Sequence, residues 1–433
     1  MYLTTTIILV AMVAAFVISS IFLKSAEISM LITAAVGILF ACAHGWTNSF
    51  SRVFVEGLFV NLDIALLFVT ASFFVNFYSE SGAITTLTRK LVSRSNNKWL
   101  LLTVMAIFML IPGAITGAGS ISVFVLGSMV AMITRAMGLS EKKTAAFVFF
   151  FAILSAAAPP VNLWAMMIAS GADMPYVGFT MPLLAPIIVA SILAIIYFGW
   201  GSKPKDKTEI LSKLPDASQD IAWWRIVVPP VVLIGVFLAS YYLPFEIPVI
   251  GLPLTFVIAT IVAILCDPKK PSLKQCWNVL DKTMEQIFPL IATVLSVGVL
   301  QNSMSATGVK GLIGITFITL PILWIYISIL FVAPLLQGSL NYGSAVVFGA
   351  PLMFIFNTMG VNLTIVASAM SLIFPIGDCL PPSRITGRLS CEVVGYEGTY
   401  RSFLSAVIVP CVILAAIAFI MMVMPDKFAF LVH

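Results

Sequence analysis

The sequence predicts an all-α polytopic membrane protein made of two inverted-topology repeats, and three observations carry that expectation. The first is composition. The 433 residues are 61% hydrophobic and 9% charged, with a mean hydropathy of +1.10, whereas soluble domains carry about 25% charged residues. The second is repetition: one shift along the chain carries Pro112 onto Pro334 and the pair Pro159–Pro160 onto Pro381–Pro382. The third is charge placement. With both termini outside, all but Arg52, Lys310 and Lys427 of the 23 Lys and Arg fall on cytoplasmic ends or loops, the side that basic residues favour.

Taken in order, apolar spans are expected at about 5–22, 28–44 and 53–78. The first has no basic n-region and no evident cleavage site, so it reads as a retained span. A hairpin follows at 99–134. Its limbs, Trp99–Ile111 and Ile121–Thr134, are about 14 residues each, short of the roughly 20 that cross a bilayer core. Both outer flanks are basic, with Lys98 before and Arg135, Lys142 and Lys143 after. The segment is therefore expected to enter from the cytoplasm, turn at Pro112–Ser120 and return. Irregular backbone at membrane depth needs cover from protein or a water-filled cavity, which makes the tip a candidate binding site. A span at 144–169, broken by Pro159–Pro160, and another at 177–199 complete a first half, 1–200.

Residues 201–225 interleave Lys203, Lys205, Lys207, Lys213 and Arg225 with four acids and read as a cytoplasmic linker. The second half, 226–433, has spans near 226–243, 249–266 and 283–303, a re-entrant hairpin at 321–358, a broken span at 362–388 and a last span at 402–424. The shift that superimposes the prolines, applied to the whole first half, reproduces this set. Each half crosses five times, an odd number, so the halves run in opposite senses, as in many secondary transporters.

The polar residues of the tips and breaks are the candidates for chemistry. The first tip offers the Thr116, Ser120 and Ser122 hydroxyls and carbonyls freed around Gly113, Gly117 and Gly119. Tandem prolines donate no backbone hydrogen bonds, so a break at Pro159–Pro160 leaves half-helix ends with partial charges. Oxygen ligands without thiols or imidazoles suit hard cations, here Na⁺, with H⁺ as an option. The expected cation ligands are Thr116, Gly117, Ser120, Pro159, Ser339 and Pro381. Asp378 is either a further ligand or a proton carrier. Gly and Pro in membrane helices also serve simply to kink or to permit close packing.

In the second half, Asp378 and Arg384 flank the break, and intramembrane charges mark functional sites by default. The repeat places Arg384 at the position that Asn162 holds in the first half. It reads as a bidentate clamp on a substrate carboxylate, as the partner of Asp378, or as a side chain snorkelling to the interface with Arg388. Asn162, Asn341, Ser383 and Arg384 are the expected substrate contacts. Asn61, Asp63, Asn76 and Glu80 on the third span read as paired or interfacial. Two histidines and six cysteines without CxxC spacing speak against metal-site and HExxH chemistry. No P-loop, Ser-His-Asp set or nucleic-acid patch is visible, so no enzyme is expected.

At these residues the chain resembles the large permease subunit of tripartite ATP-independent periplasmic (TRAP) transporters, within the wider ion-transporter superfamily. The features are Ser81-Gly82-Ala83, Gly117-Ala118-Gly119-Ser120, Ala158-Pro159-Pro160 followed by Ser170-Gly171-Ala172, and Pro381-Pro382. The resemblance implies an elevator-type, Na⁺-coupled importer of organic acids in the inner membrane. It also implies two partners, a small four-span membrane subunit and a periplasmic binding protein. The alternative is a stand-alone ion-coupled organic-anion carrier of the same superfamily.

Overall fold

The computed structural model describes residues 2–47, 49–83, 86, 97–202, 221–242, 251–381 and 384–432, and every regular element among them is a helix. Most of the 201–225 linker, with Pro382 and Ser383, lies outside the described residues. Nine helices among the described residues are long and apolar enough to cross a membrane.

The first half runs α1 (Tyr2–Leu23), α2 (Ala26–Ala43), α3 (Phe50–Val60), α4 (Leu62–Glu80), α5 (Lys98–Thr116), α6 (Gly119–Ala136), α7 (Glu141–Ala157), α8 (Leu163–Gly171) and α9 (Thr180–Gly199). The second runs α10 (Trp223–Tyr242), α11 (Leu252–Cys266), α12 (Leu273–Ala306), α13 (Val309–Ile318), α14 (Ile322–Leu340) and α15 (Ala345–Thr358). It ends with α16 (Leu363–Ile373), continued as a 3-10 turn to Cys379, then α17 (Ile385–Val394) and α18 (Tyr400–Val423). With α3 and α4 taken together, each first-half helix has a counterpart that begins close to where the proline shift places it. Only α13 has none among the described residues. Among the described residues eight starts are set locally, by side-chain caps from Ser25, Ser49, Asn97, Ser140, Asn162, Asn362 and Thr399 and by a Ser272–Gln275 capping box on α12, which satisfy otherwise orphaned N–H groups.

Packing sorts the helices into two groups. An outer group, α1–α4 and α10–α13, is knitted around α12, which lies against α2, α3 and α4. An inner group, α5–α9 and α14–α18, surrounds α7. The polar residues of the third span serve the outer group. The buried Asn61 amide donates to the Val294 carbonyl (3.3 Å), Asn76 donates to Thr283 and Gln286 (3.0 and 2.9 Å), and Glu80 pairs with Lys282 (3.4 Å).

Three spans differ in detail from what the sequence predicts. The third, Phe50–Glu80, is one apolar stretch as expected, but it turns at Asn61 between α3 and α4. The 283–303 span belongs to a 34-residue helix, about 51 Å long at ~1.5 Å per residue. The limbs of the first hairpin are 19 and 18 residues, not about 14, so each is long enough to cross. The reason is Pro112, which sits inside α5 rather than ending it; the helix continues to the left-handed Gly117 (φ 73°). Limb length therefore no longer argues that this hairpin is re-entrant.

Candidate functional site

The site grows from α7, which is buried on every side from Thr144 to Ala157, as a helix enclosed by others must be apolar all round. It stops at Ala158 because the two prolines that follow have no N–H to donate. The break then closes on itself. Asn162 caps α8 by accepting from the Ala165 N–H (3.0 Å), and its amide donates to the Ala157 carbonyl (2.8 Å) and to Ser371 of α16 (2.9 Å). The Tyr176 hydroxyl donates to the Pro160 carbonyl (3.2 Å), and the Val161 N–H reaches the Ala114 carbonyl of α5 (3.1 Å).

The first tip packs against this break. Ser122 accepts from the Gly113 N–H (2.8 Å) and shares a hydrogen bond with Ser155 (3.0 Å). Gly119 lies so close to α7 that a Cβ would stand 2.5 Å from the Ala152 carbonyl oxygen. The Thr116 hydroxyl turns back onto the Pro112 carbonyl (2.8 Å). Ser120, half-buried, has a hydroxyl without a partner among the described residues. Its stretch of α6 packs against α17.

In the second half the tip, Gln337–Ser344, meets the break 374–384. A Cβ on Gly338 would stand 2.7 Å from the Pro381 carbonyl oxygen. Gln337 is the junction. Its oxygen accepts from the Trp164 indole (2.7 Å) and from Ser344 (2.8 Å), and its amide donates to Asp378 (3.0 Å). Thr386 donates to the other Asp378 oxygen (2.9 Å). Asp378 is thus held by neutral donors, and no ion pair joins it to Arg384 among the described residues. Arg384 instead stacks over the Tyr400 ring at 5.1 Å. Its Nε is buried without a hydrogen-bond partner, its backbone is left-handed (φ 51°), and it precedes α17 without a side-chain cap. Asn341 also has positive φ (49°), and among the described residues its side-chain amide is free.

The two units touch. The Tyr342 hydroxyl donates to the Gly117 carbonyl (3.2 Å), and its ring lies 5.0 Å from that of Trp164. Tips and breaks of both halves therefore converge. Of the expected site residues, Thr116, Asn162 and Asp378 are engaged inside the protein, and Ser339 makes a long bond to the Leu335 carbonyl (3.4 Å). The Gly117 carbonyl accepts from Tyr342. Among the described residues Ser120, Asn341 and Arg384 keep free side-chain donors, Pro159 is half-buried and Pro381 exposed, and Ser383 lies outside the described residues. Trp164, Ser371 and Tyr400 carry no sequence signal, because each acts on residues brought close only by folding.

No protein-family model matches the chain, and comparison with curated proteins finds no match. Among solved structures, the fold is similar to the Alcanivorax borkumensis YdaH transporter, with TM-score 0.63, 14% identity, and 89% of this chain and 90% of that one covered. It is also similar to MtrF of Neisseria gonorrhoeae, described with a class of antimetabolite efflux pumps, with TM-score 0.61, 13% identity and coverage of 87% and 84%. Neither is a TRAP subunit, so the resemblance drawn from short motifs reaches the transporter fold and not that family. The chain has the fold of a membrane transporter and passes the membrane several times.

Proposed function

We propose that this chain is a secondary active carrier that binds the carboxylate of a small organic anion at Arg384. The supporting observation is Arg384 itself, a half-buried guanidinium with a buried, unpartnered Nε beside an uncapped helix start. A guanidinium fork matches a carboxylate bidentately, and a helix N-terminus adds partial positive charge. Ser120 and Asn341 supply further free donors, while Asn162 holds the surrounding backbone in place and Asp378 holds the Gln337 and Thr386 side chains. In this reading the chain is a carrier and not an enzyme. Its two halves, 1–200 and 226–433, are inverted in the inner membrane with both termini outside.

Coupling to Na⁺ is part of the proposal. Its basis is the oxygen-rich character of the tips at Thr116, Gly117, Ser120 and Ser339 and of the breaks at Pro159 and Pro381. Asp378 offers a route for H⁺ instead. Import is the proposed direction. A four-span subunit and a periplasmic binding protein belong to the TRAP-like form of the reading, and a stand-alone carrier to the other.

The test is uptake by proteoliposomes holding this chain alone, with labelled C4-dicarboxylates and sugar acids. Saturable, concentrative uptake that collapses when choline replaces Na⁺ is the expected result. Uptake unchanged by that replacement would remove Na⁺ coupling. Uptake only after a small subunit and soluble receptor are added would select the tripartite form. Uptake insensitive to Arg384→Ala would overturn the assigned contact.

A further inference from the structure

A cavity of about 560 Å³ lies between α4, α10 and α11 of the outer group and the first hairpin. That volume is within the range of small-molecule sites, yet the walls are almost wholly apolar, with Phe74, Phe108, Leu233 and Phe256 prominent. Of its polar lining side chains, Tyr78 donates to the Ile226 carbonyl (2.6 Å) and Thr255 to the Gly251 carbonyl (3.3 Å). Thr180, exposed at the start of α9, is the only other among the described residues. Stable water needs two to four polar partners, which these walls do not offer. A dry void would leave the surrounding rings without dispersion contacts on one side.

Its mouth shows what can enter. Ile111 and Ile234 line the cavity and are themselves 48% and 57% exposed. Ile107 and Val231, one turn or less away on α5 and α10, are exposed as well. The opening is therefore continuous with the apolar outer surface of spanning helices, which faces hydrocarbon. Among the described residues no lining charge is present to hold an ionic group inside. Its floor is the back of the first unit, at Pro112, Ala114, Pro159 and Pro160.

We propose that this cavity holds one acyl chain of a membrane phospholipid, whose headgroup stays at the membrane surface. The chain lies between the two helix groups and against the Pro159–Pro160 break, so the bilayer contacts the rear of the first hairpin directly. The proposal does not depend on which anion is carried or on the coupling ion.

The experiment uses the full chain in phosphatidylcholine vesicles doped with a phospholipid that carries a diazirine midway along one acyl chain. After photolysis, adducts are mapped by peptide mass spectrometry. Adducts on Phe74 and Phe256, which are 2% and 1% exposed, are expected. Leu233→Trp, which projects a larger ring into the cavity, should reduce them several-fold and leave adducts on the outer face of α1 at Val10 and Val13 unchanged. Adducts confined to outer faces would overturn the proposal. So would equal labelling of Phe74 and Phe256 by a headgroup diazirine, or cross-links there to a second copy of the chain. The wild-type map decides the matter even where the variant does not fold.

Discussion

In the first hairpin-and-break unit, the polar groups mostly satisfy their own backbone: Ser122 takes the Gly113 N–H, Thr116 the Pro112 carbonyl, and Asn162 caps α8. In the second unit the equivalent positions carry charge. Asp378 is cradled by Gln337 and Thr386, and Arg384 stands where Asn162 does, at the start of the second half-helix. Parts of the backbone nonetheless correspond, although the first broken span stays α-helical to Ala157 and the second runs as a 3-10 turn from Phe374 to Cys379. The π-helical turns Val123–Gly127 and Ala345–Gly349 are related by the same shift as the prolines, and a tip glycine touches a backbone carbonyl in each. The first unit thus meets most of its polar needs internally, Ser120 excepted, whereas the second carries the buried, unpartnered Arg384 Nε. In the function proposed above, that asymmetry assigns the carboxylate contact to the second unit.

The strongest way to break this comparison is to exchange the paired positions. Arg384→Ala should lower uptake about 100-fold, since losing a bidentate charged pair costs about 3 kcal/mol. Arg384→Lys should recover only part of that, because an ammonium lacks the planar fork. Asn162→Ala should leave the substrate KM unchanged and lower thermal stability by about 1–2 kcal/mol, the worth of a cap. A KM effect from Asn162→Ala equal to that from Arg384→Ala would mean that both units bind substrate.

A smaller set of changes sharpens the part the units share. Gly119→Ala and Gly338→Ala each place a Cβ against a carbonyl oxygen of the facing break. Each should destabilise by about 1–3 kcal/mol through overpacking, read as a fall in Tm with little change in KM for survivors. Similar losses would show that both tips are seated tightly on their breaks, whereas a loss in only one would show that the other tip has room to move.

Much of this is legible in the sequence, for reasons that differ by residue. The prolines at 112, 159, 334 and 381 mark both tips and both breaks because a missing N–H acts locally, wherever the chain later goes. The same logic misplaces the first limb, since Pro112 bends into α5 without ending it. The Trp164–Gln337 bond joins positions 173 residues apart and Asn162–Ser371 joins positions 209 apart. No periodicity encodes such pairs. Asp378 draws attention as a charge in an apolar run, yet its partners are neutral and lie on two other stretches. An Asp378–Arg384 pair is the simpler reading of the sequence; folding separates them.

Two contacts tie each half to the other's broken span, and the smallest effect of all is expected at one of them, Asp173. The Arg135 guanidinium, from the end of the first hairpin, donates to the Val394 carbonyl at the C-terminus of α17 (2.6 Å), where a cation also meets the negative end of the helix. Lys310, ahead of the second hairpin, pairs with Asp173 just beyond α8 (3.5 Å) and lies over Phe354. The Asp173 carboxylate is 83% exposed, and the Lys310 side chain only 16%. Exposed pairs contribute at most about 1 kcal/mol, so Asp173→Asn should change Tm little, and less still in high salt. Arg135→Ala should cost more, about 1.5–3 kcal/mol, because it removes a charged hydrogen bond to a helix end. Lys310→Ala should exceed Asp173→Asn, since it also uncovers Phe354. If Asp173→Asn instead alters transport strongly at unchanged Tm, the Lys310–Asp173 pair is a moving contact between the halves, and the chemistry is less confined to the second unit than its unpaired Arg384 implies.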